Sequence, residues 1–459
     1  MTGLEQAKSD HLSLVQEVSP ELSAPRTDAG NAERLVFRHG DNLRYVHPWK
    51  AWLIWDGRRW KRDDMGRVMG LAKETIRHLL ELAPTIDDKS TRDGLLQHAM
   101  KSEAEPRLRA MISLACSERG IAVRPEELDA EPYLLSVGNG TVNLRTGEFR
   151  EACRGELLTR GSEVWFDASA DCPRWEQFLE EVFAGDSDLI AFVRRWVGYT
   201  LTGDTREHAL VLLHGRGRNG KSTFVETLKA LLGDLAATAS FDSFVRRRGD
   251  SGPRNDLARL QGARLAAASE TGKGRRLDEA AVKQLTGGDR ITARFLHAEH
   301  FEFTPQFKLY LVTNARPRVD GGDDAIWARL REIPFGVSFA GHEDRELDTK
   351  LREELLGILR WAIQGCLEWQ NEGLGTAAAI EEATRAYRAE EDVLGAFLAE
   401  RCEEGGEVEV ADLRQQYEAF CNEIGEEPLS PSLFGRELGG RGIERGGKAR
   451  RLYRGVTLK

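Results

Sequence analysis

At 459 residues the chain is too long for one hydrophobic core, so several domains are expected. Its 41% hydrophobic and 31% charged content suits a water-soluble protein; no apolar run nears the roughly 20 residues of a membrane helix, and the N-terminus (MTGLEQAKSDHLSLVQ) lacks the basic-then-apolar layout of a secretory signal. Six scattered cysteines without a CxxC pair disfavour zinc or a disulfide framework and fit a reducing cytoplasm, and the net charge of −10 disfavours indiscriminate attraction to phosphates, so local basic surfaces count for more.

Residues 1–33 are polar, contain Pro20, Pro25 and Gly30, and read as a disordered tail. A mostly helical module with small β-elements is expected over 34–205. Its tryptophan-rich start (RYVHPWKAWLIWDGRRWKRDD) suits a small β-element turning at Asp56-Gly57 and near Asp64. Helical spacing follows over 68–82 and 91–119. SVGNGTVNLRTGEFRE reads as two short strands around Arg145-Thr146-Gly147. After Pro173, apolar residues recur every three or four positions, predicting two amphipathic helices broken at Gly185, with Asp186 and Ser187 suited to cap the second. From 206 to 340 the texture becomes strand, loop and helix in alternation, an α/β core. Residues 341–398 read as helical and 399–459 as a final compact unit.

ALVLLHGRGRNGKSTFVETLKALLG reads as a buried strand (Leu210 to Leu213), a loop and an amphipathic helix. The loop fits GxxxxGK[ST] at Gly215, Gly220, Lys221 and Ser222. Glycines let the backbone curl until its N–H groups face phosphates at the positive end of the next helix. ATP is therefore the expected cofactor, cradled by Gly215, Arg216, Gly217, Arg218, Asn219, Gly220, Lys221, Ser222 and Thr223. Lys221 would neutralise the β- and γ-phosphates and the Ser222 hydroxyl would hold Mg²⁺. A glycine-rich turn of no function is the alternative, disfavoured by the strand before it and the helix after it.

ARLAAASET is a strand of small apolar residues ending at Glu270, whose carboxylate would polarise an attacking water near the metal. FKLYLVTNARPRV supplies a third apolar strand, Leu309 to Thr313, ending at Asn314, whose amide would bond the γ-phosphate or that water. Taken singly, these are also an exposed glutamate and a turn-forming asparagine; the ordered series of loop, Glu-ended strand and Asn-ended strand says more than either.

From about Val137 to Phe339 the chain resembles the superfamily 3 helicase region of phage and plasmid primase-helicases, a family that includes a poxvirus primase-helicase. The resemblance is carried in order by LRTGEF, CPRW, LTGDTRE, HGRGRNGKST, ASET, LTGGDRITARF, FEFTPQFKLYLVTN and IWARLREIPF. It implies an AAA+ type P-loop ATPase core between a helical N-terminal module and a winged-helix-like C-terminal module, with ATP sites shared between neighbours in a hexameric ring. It also implies translocation on single-stranded and forked DNA, usually 3′ to 5′. On this resemblance Lys221 and Ser222 bind phosphate and Mg²⁺, Glu270 is the catalytic carboxylate at the metal and Asn314 the polar sensor. Arg329 or Arg331 is the finger reaching a neighbour's γ-phosphate. Two arginines two apart on a strand or extended segment face the same side, so spacing does not choose; Arg329 is preferred.

LTGGDRITARFLHAEHFEFTP corresponds to the family's channel hairpin. Ile291, Ala293 and Phe295 alternate with Thr292 and Arg294, and Phe301 and Phe303 suit the partner strand. Arg290, Arg294 and His297 become candidates for DNA phosphates, with a solvated hairpin face as the plainer alternative. Ser269 stands where many P-loop ATPases carry a second acid, so Mg²⁺ would lean on Ser222 and water. No primase domain fits before Arg34, which leaves priming to a separate primase or polymerase.

VADLRQQYEAFCNEIG and SPSLFGRELGGRG read as two helices, the second capped by Ser430 with Pro431 at its first position. A strand pair near 442–446 and 451–458 follows, with Lys448, Arg450, Arg451 and Arg454 close to its turn. Helix–helix–hairpin is a winged-helix plan whose arginines suit DNA; a protein-docking wing is the alternative. Arg246, Arg247 and Arg248 read as a solvated turn, whereas GKGRR (Gly272 to Arg276) is better placed for DNA or a subunit interface. The chain is thus expected to be an ATP-dependent DNA helicase of phage, plasmid or mobile-element replication, or else an origin-binding or scaffold ATPase.

Overall fold

A computed structural model describes residues 20–245, 255–269, 275–294, 301–319, 324–446 and 451–459. The chain forms two compact units, one running to Asn143 and resuming over Glu148–Trp165, the other comprising Leu144–Gly147 and Phe166–Lys459.

In the first unit, helix Asp28–His39 begins inside the stretch expected to be a tail. Its order has a local cause. Arg34 is fully buried, and its Nε donates to Glu21 O at 2.7 Å and its Nη1 to Pro25 O at 2.8 Å. Backbone carbonyls thus satisfy a guanidinium and fasten residues 21–25 to the helix. Three antiparallel strands follow, β1 (Leu43–Val46), β2 (Ala51–Trp55) and β3 (Trp60–Arg62), in that order across the sheet. Helix Arg67–Leu82 then buries Val68, Ala72, Ile76 and Leu79 on one side. The helical stretch expected over 91–119 is two helices, Lys89–Ser102 and Glu105–Ala115, with Pro106 opening the second, where its missing N–H costs nothing. A second antiparallel sheet holds β4 (Leu134–Val137), β5 (Gly140–Asn143) and β6 (Glu148–Arg150).

The second unit starts before the expected boundary at 205, because helices Pro173–Val182 and Ser187–Thr200 belong to it. Asp186 caps the latter by accepting from Asp188 N and Leu189 N. Ser187–Thr200 crosses helix Leu355–Glu372 with backbones touching: a Cβ on Gly198 would lie 2.0 Å from Cys366 N, and one on Gly365 would lie 2.2 Å from Arg194 O. Only glycine permits that approach.

The strands here are β7 (Leu210–His214), β8 (Ala236–Thr238), β9 (Leu265–Ser269), β10 (Ile291–Ala293), β11 (Phe301–Phe303), β12 (Lys308–Thr313) and β13 (Leu330–Pro334). Five of them form a parallel sheet in the order β13-β7-β12-β9-β8. Leu210, Leu212, Leu309 and Leu311 face a core that includes Phe244, Trp327 and Tyr387. On the other side Tyr310 bonds Thr200 through its hydroxyl at 2.8 Å and lies against Trp196. A sheet covered on both faces explains why these strands read as unbroken apolar runs. β10 and β11 form a separate antiparallel hairpin, pairing Ile291 with Phe303 and Ala293 with Phe301.

The C-terminal segment packs helices Val410–Ile424 and Pro431–Gly440 on a three-stranded sheet of β14 (Cys402–Glu409), β15 (Glu444–Gly446) and β16 (Leu452–Leu458), ordered β14-β16-β15. The expected helix–helix–hairpin plan gains β14. Its sequence, CEEGGEVE, reads as a turn because Gly405 and Gly406 form an irregularity within the strand, at φ +88° and +80°.

Candidate active site

β7 ends at His214, and the chain turns through 215–220 into helix Lys221–Leu232. The turn uses left-handed backbone at Gly217 (φ +95°), Gly220 (φ +85°) and, unusually for a side-chain-bearing residue, Arg218 (φ +49°). Lys221 is only 4% exposed. Its Nζ donates to Gly215 O at 2.7 Å, to Asn219 Oδ1 at 2.9 Å and to Asn314 Oδ1 at 3.1 Å. Two of these acceptors belong to the loop; the third stands just past the end of β12. No carboxylate pairs with Lys221 among the described residues, and burial pushes its amine down to about 8.

Asn219 works from both ends of its amide, accepting from Lys221 and donating Nδ2 to Phe335 O at 2.9 Å. Phe335 N in turn donates to His214 O at 2.7 Å. The exit of β13 therefore clamps the loop on both sides. Arg218 N, Asn219 N and Gly220 N have no acceptor among the described residues, and the first N–H groups of a helix lack intrahelical partners. Ser222 is exposed and Thr223 half-exposed at the helix start, and Arg216 and Arg218 point outward, Arg218 pairing with Glu343 at 3.2 Å. A desolvated ammonium without a counter-ion, free N–H groups and an accessible hydroxyl fit a polyphosphate with its cation.

Gly215 shapes this cradle. A Cβ there would fall 2.1 Å from Asn219 Nδ2 and 2.3 Å from Phe335 O. Gly215→Ala is expected to displace Asn219 and the Phe335 carbonyl, destabilising the second unit by about 1–3 kcal/mol and weakening nucleotide binding. Titration with a fluorescent ATP analogue checks this, and unaltered affinity would mean the loop does not hold the nucleotide as described.

Of the other residues singled out from sequence, Glu270, His297, Lys448 and Arg450 lie outside the described residues, as do Arg246, Arg247 and Arg248. The strand leading to Glu270 is described: β9 pairs Ser269 with Val312 of β12. Arg329 and Arg331 do not share one extended segment. Arg329 ends helix Asp324–Arg329 whereas Arg331 lies in β13, so the common-face argument fails at this helix-to-strand junction. Arg329 Nε is buried without a partner among the described residues, and Arg331 Nη1 donates to Ala328 O at 2.7 Å. On the hairpin, Arg290 is exposed, 3.9 Å from Glu302, and Arg294 has a buried Nε without a partner among the described residues. Arg451 is exposed, while Arg454 is committed to Glu407 at 2.8 Å. The structure thus brings Lys221 and Asn314 together with Gly215 and Asn219; Arg329 and Arg331 bond instead to Ala325 O and Ala328 O.

Sequence reading missed one feature beside the loop. Glu332, 1% exposed, accepts from His214 Nδ1 at 2.9 Å and from Arg316 Nε and Nη2 at 3.0 and 2.9 Å. Arg316 also reaches Glu390 at 2.5 Å. An acid in the short strand LREIP was the available signal; its partners, far away in sequence, were invisible.

Residues 32–184 match the family described as D5 N terminal like, and residues 213–329 match a family of unknown function (DUF5906). "Putative helicase L207/L206" of Acanthamoeba polyphaga mimivirus is 28% identical over 296 residues, covering 60% of this chain and 31% of that protein. "Putative primase C962R" of African swine fever virus is 23% identical over 316 residues, covering 62% of this chain and 32% of that protein. The chain is a relative of these viral proteins named as a putative helicase and a putative primase. It spans about a third of the length of these relatives. In fold it is similar to the apo structure of the NrS-1 C-terminal region (305–718), with a TM-score of 0.53 at 9% identity over 94% of this chain and 99% of that one.

Proposed function

We propose that the chain is the ATP-driven DNA motor of a replication system of the primase-helicase kind. Its AAA+ core would hydrolyse ATP with Mg²⁺ at contacts between copies in a hexameric ring. The ring would move 3′ to 5′ along single-stranded DNA, open forks, and work with a primase or polymerase.

The observation that carries this reading is the Lys221 amine, shared between the phosphate loop and Asn314 on the adjacent strand. An anion drawn to that amine also meets the amide, so a single group can register whether the terminal phosphate is present. The sheet order supports it. β12 lies between β7, which feeds the loop, and β9, which leads to Glu270. Asn314 thereby follows the strand that lies between the one feeding the loop and the one that leads toward Glu270. Bound MgATP would supply the phosphoanhydride whose hydrolysis drives movement. Ser222 would hold the cation, Lys221 would neutralise phosphate charge, and Arg329 or Arg331 would complete a neighbour's site. The names of the relatives support nucleic acid as the substrate.

Asn314→Ala and Glu270→Gln are each expected to lower single-strand-stimulated ATP hydrolysis by about 100-fold or more while nucleotide still binds. Light scattering of the Glu270→Gln protein with ATP and a single-stranded oligonucleotide is expected to report a ring. A strict monomer would overturn the shared site. Tight duplex binding without strand displacement would favour an origin-binding or scaffold ATPase.

A further inference from the structure

The first unit contains a groove of about 1220 Å³ that no part of the motor reading uses. Helix Arg67–Leu82 forms its floor. Arg67, Gly70, Glu74, Arg77, His78 and Glu81 line it at three- and four-residue spacing, a continuous stripe opposite the helix's buried face. From Arg67 to Glu81 that stripe runs about 21 Å at 1.5 Å per residue. The opposite side carries Arg38 and His39 from the end of helix Asp28–His39, Trp55 from the end of β2, and Arg154. The Arg154 guanidinium lies 5.6 Å over the Trp55 ring.

Charge in the groove is less balanced than a residue count suggests. Each carboxylate is already engaged. Asp56 accepts from Arg58 N and Arg59 N at 2.8 and 2.9 Å, Glu81 bonds His78 at 3.0 Å, and Glu74 lies 3.7 Å from Arg38. Arg67 makes no ion pair among the described residues, and Arg77 only a 3.8 Å contact with Glu103. His39 Nε2 is sealed from solvent without a partner among the described residues.

Two choices weaken the floor helix. Arg67 occupies its first position, where the helix dipole disfavours a cation. Gly70 sits in its interior, where alanine would be more stable, yet a Cβ there would meet nothing within 4 Å. Packing explains neither; a ligand that needs a free guanidinium and an unfilled groove explains both.

We propose that this groove binds a segment of single-stranded nucleic acid, its phosphates on Arg67 and Arg77 and a base against the Trp55–Arg154 stack. The length favours a polymer over a mononucleotide, and the aromatic–guanidinium stack is a surface for bases that an acidic peptide lacks. The proposal rests on the nucleic-acid reading above only for its ligand class, since every residue lining the groove belongs to the first unit and the phosphate loop to the second.

The test measures anisotropy of a fluorescein-labelled oligothymidine with the full chain, without nucleotide. The double variant Arg67→Glu with Arg77→Glu is expected to weaken binding about tenfold and make the salt dependence shallower by about 1.4 in log–log slope. Gly70→Gln should weaken binding by filling the groove, and Arg67→Lys with Arg77→Lys should restore most affinity. Basal ATP hydrolysis should not change, because both arginines are exposed and belong to the other unit. 4-Thiothymidine cross-links should map to the Trp55 and Arg154 peptides. Unchanged affinity in the double variant, or cross-links confined to other peptides, overturns the proposal and leaves the motor reading standing. Equal competition by polyglutamate or by a mononucleotide overturns it too, assigning the groove to acidic chains or to single nucleotides. If the wild type hydrolyses no ATP but the groove variants lose DNA, the motor reading fails alone.

Discussion

Lys221→Ala is expected to weaken nucleotide binding by about 2–5 kcal/mol, thirty-fold or more, with little change in melting temperature. The amine is desolvated in the ligand-free protein and held by three neutral oxygens. A phosphate would be its first counter-charge among the described residues, so most of the pair's interaction appears only on binding. The pH profile follows from the same burial. With the free amine near 8, it is protonated at pH 7 both before and after binding, and affinity is flat there. Above pH 8 the free form has lost its proton and a bound anion must restore it. Affinity should then fall about tenfold per pH unit until the bound form also titrates. Stability of the ligand-free fold moves oppositely, rising from pH 8 toward the ordinary lysine value of 10.5 as the buried charge is relieved. Nucleotide titrations from pH 7 to about 9.5 distinguish these cases, and Lys221→Arg, charged throughout, should lose the slope. Wild-type affinity in Lys221→Ala would remove the loop from nucleotide binding altogether.

Glu332→Ala should destabilise the second unit by about 3–5 kcal/mol, read as a shift in its urea midpoint. The carboxylate is buried, gripped by two nitrogens of Arg316 and by His214. Removing it strands a guanidinium that is itself mostly buried, with Glu390 as the one counter-charge left among the described residues. Glu332→Gln retains an acceptor of the same shape and should fall in between, whereas Arg316→Met, which leaves the acid facing only His214, should resemble the alanine variant. A loss below about 1 kcal/mol would mean that the cluster is open to water in solution. Because His214 directly precedes the phosphate loop and Arg316 follows Asn314 by two residues, the destabilised variants should also bind nucleotide more weakly.

What the sequence revealed divides by the range of the interactions involved. The phosphate loop was legible because its glycines, lysine and flanking strand are consecutive, and Asn314 because an apolar run ends at it. The capped pairs Asp186-Ser187 and Ser430-Pro431 were legible for the same reason. Arg34 was not: an arginine reads as surface until three backbone carbonyls of residues 21–25 are seen to receive it. β14 was hidden by Gly405-Gly406, which break the alternation that marks a strand. At Arg329 and Arg331 the spacing was read correctly but the backbone was not, since a helix ends between them. Glu332 depends on partners 16 and 118 residues away, a distance across which no periodic pattern carries.

The clamp at Phe335 also has a mechanical side. β13 carries Arg331 near its start and ends where Phe335 N and Phe335 O take hold of His214 and Asn219. Its rungs to β7 run from Leu330 to Pro334 without a break, so the strand resists sliding and transmits tension along its length. A displacement of Arg331 would therefore reach the 215–220 loop through those rungs and the two Phe335 hydrogen bonds. The loop comes fitted with a handle, and the handle lies at the other end of a stiff rod.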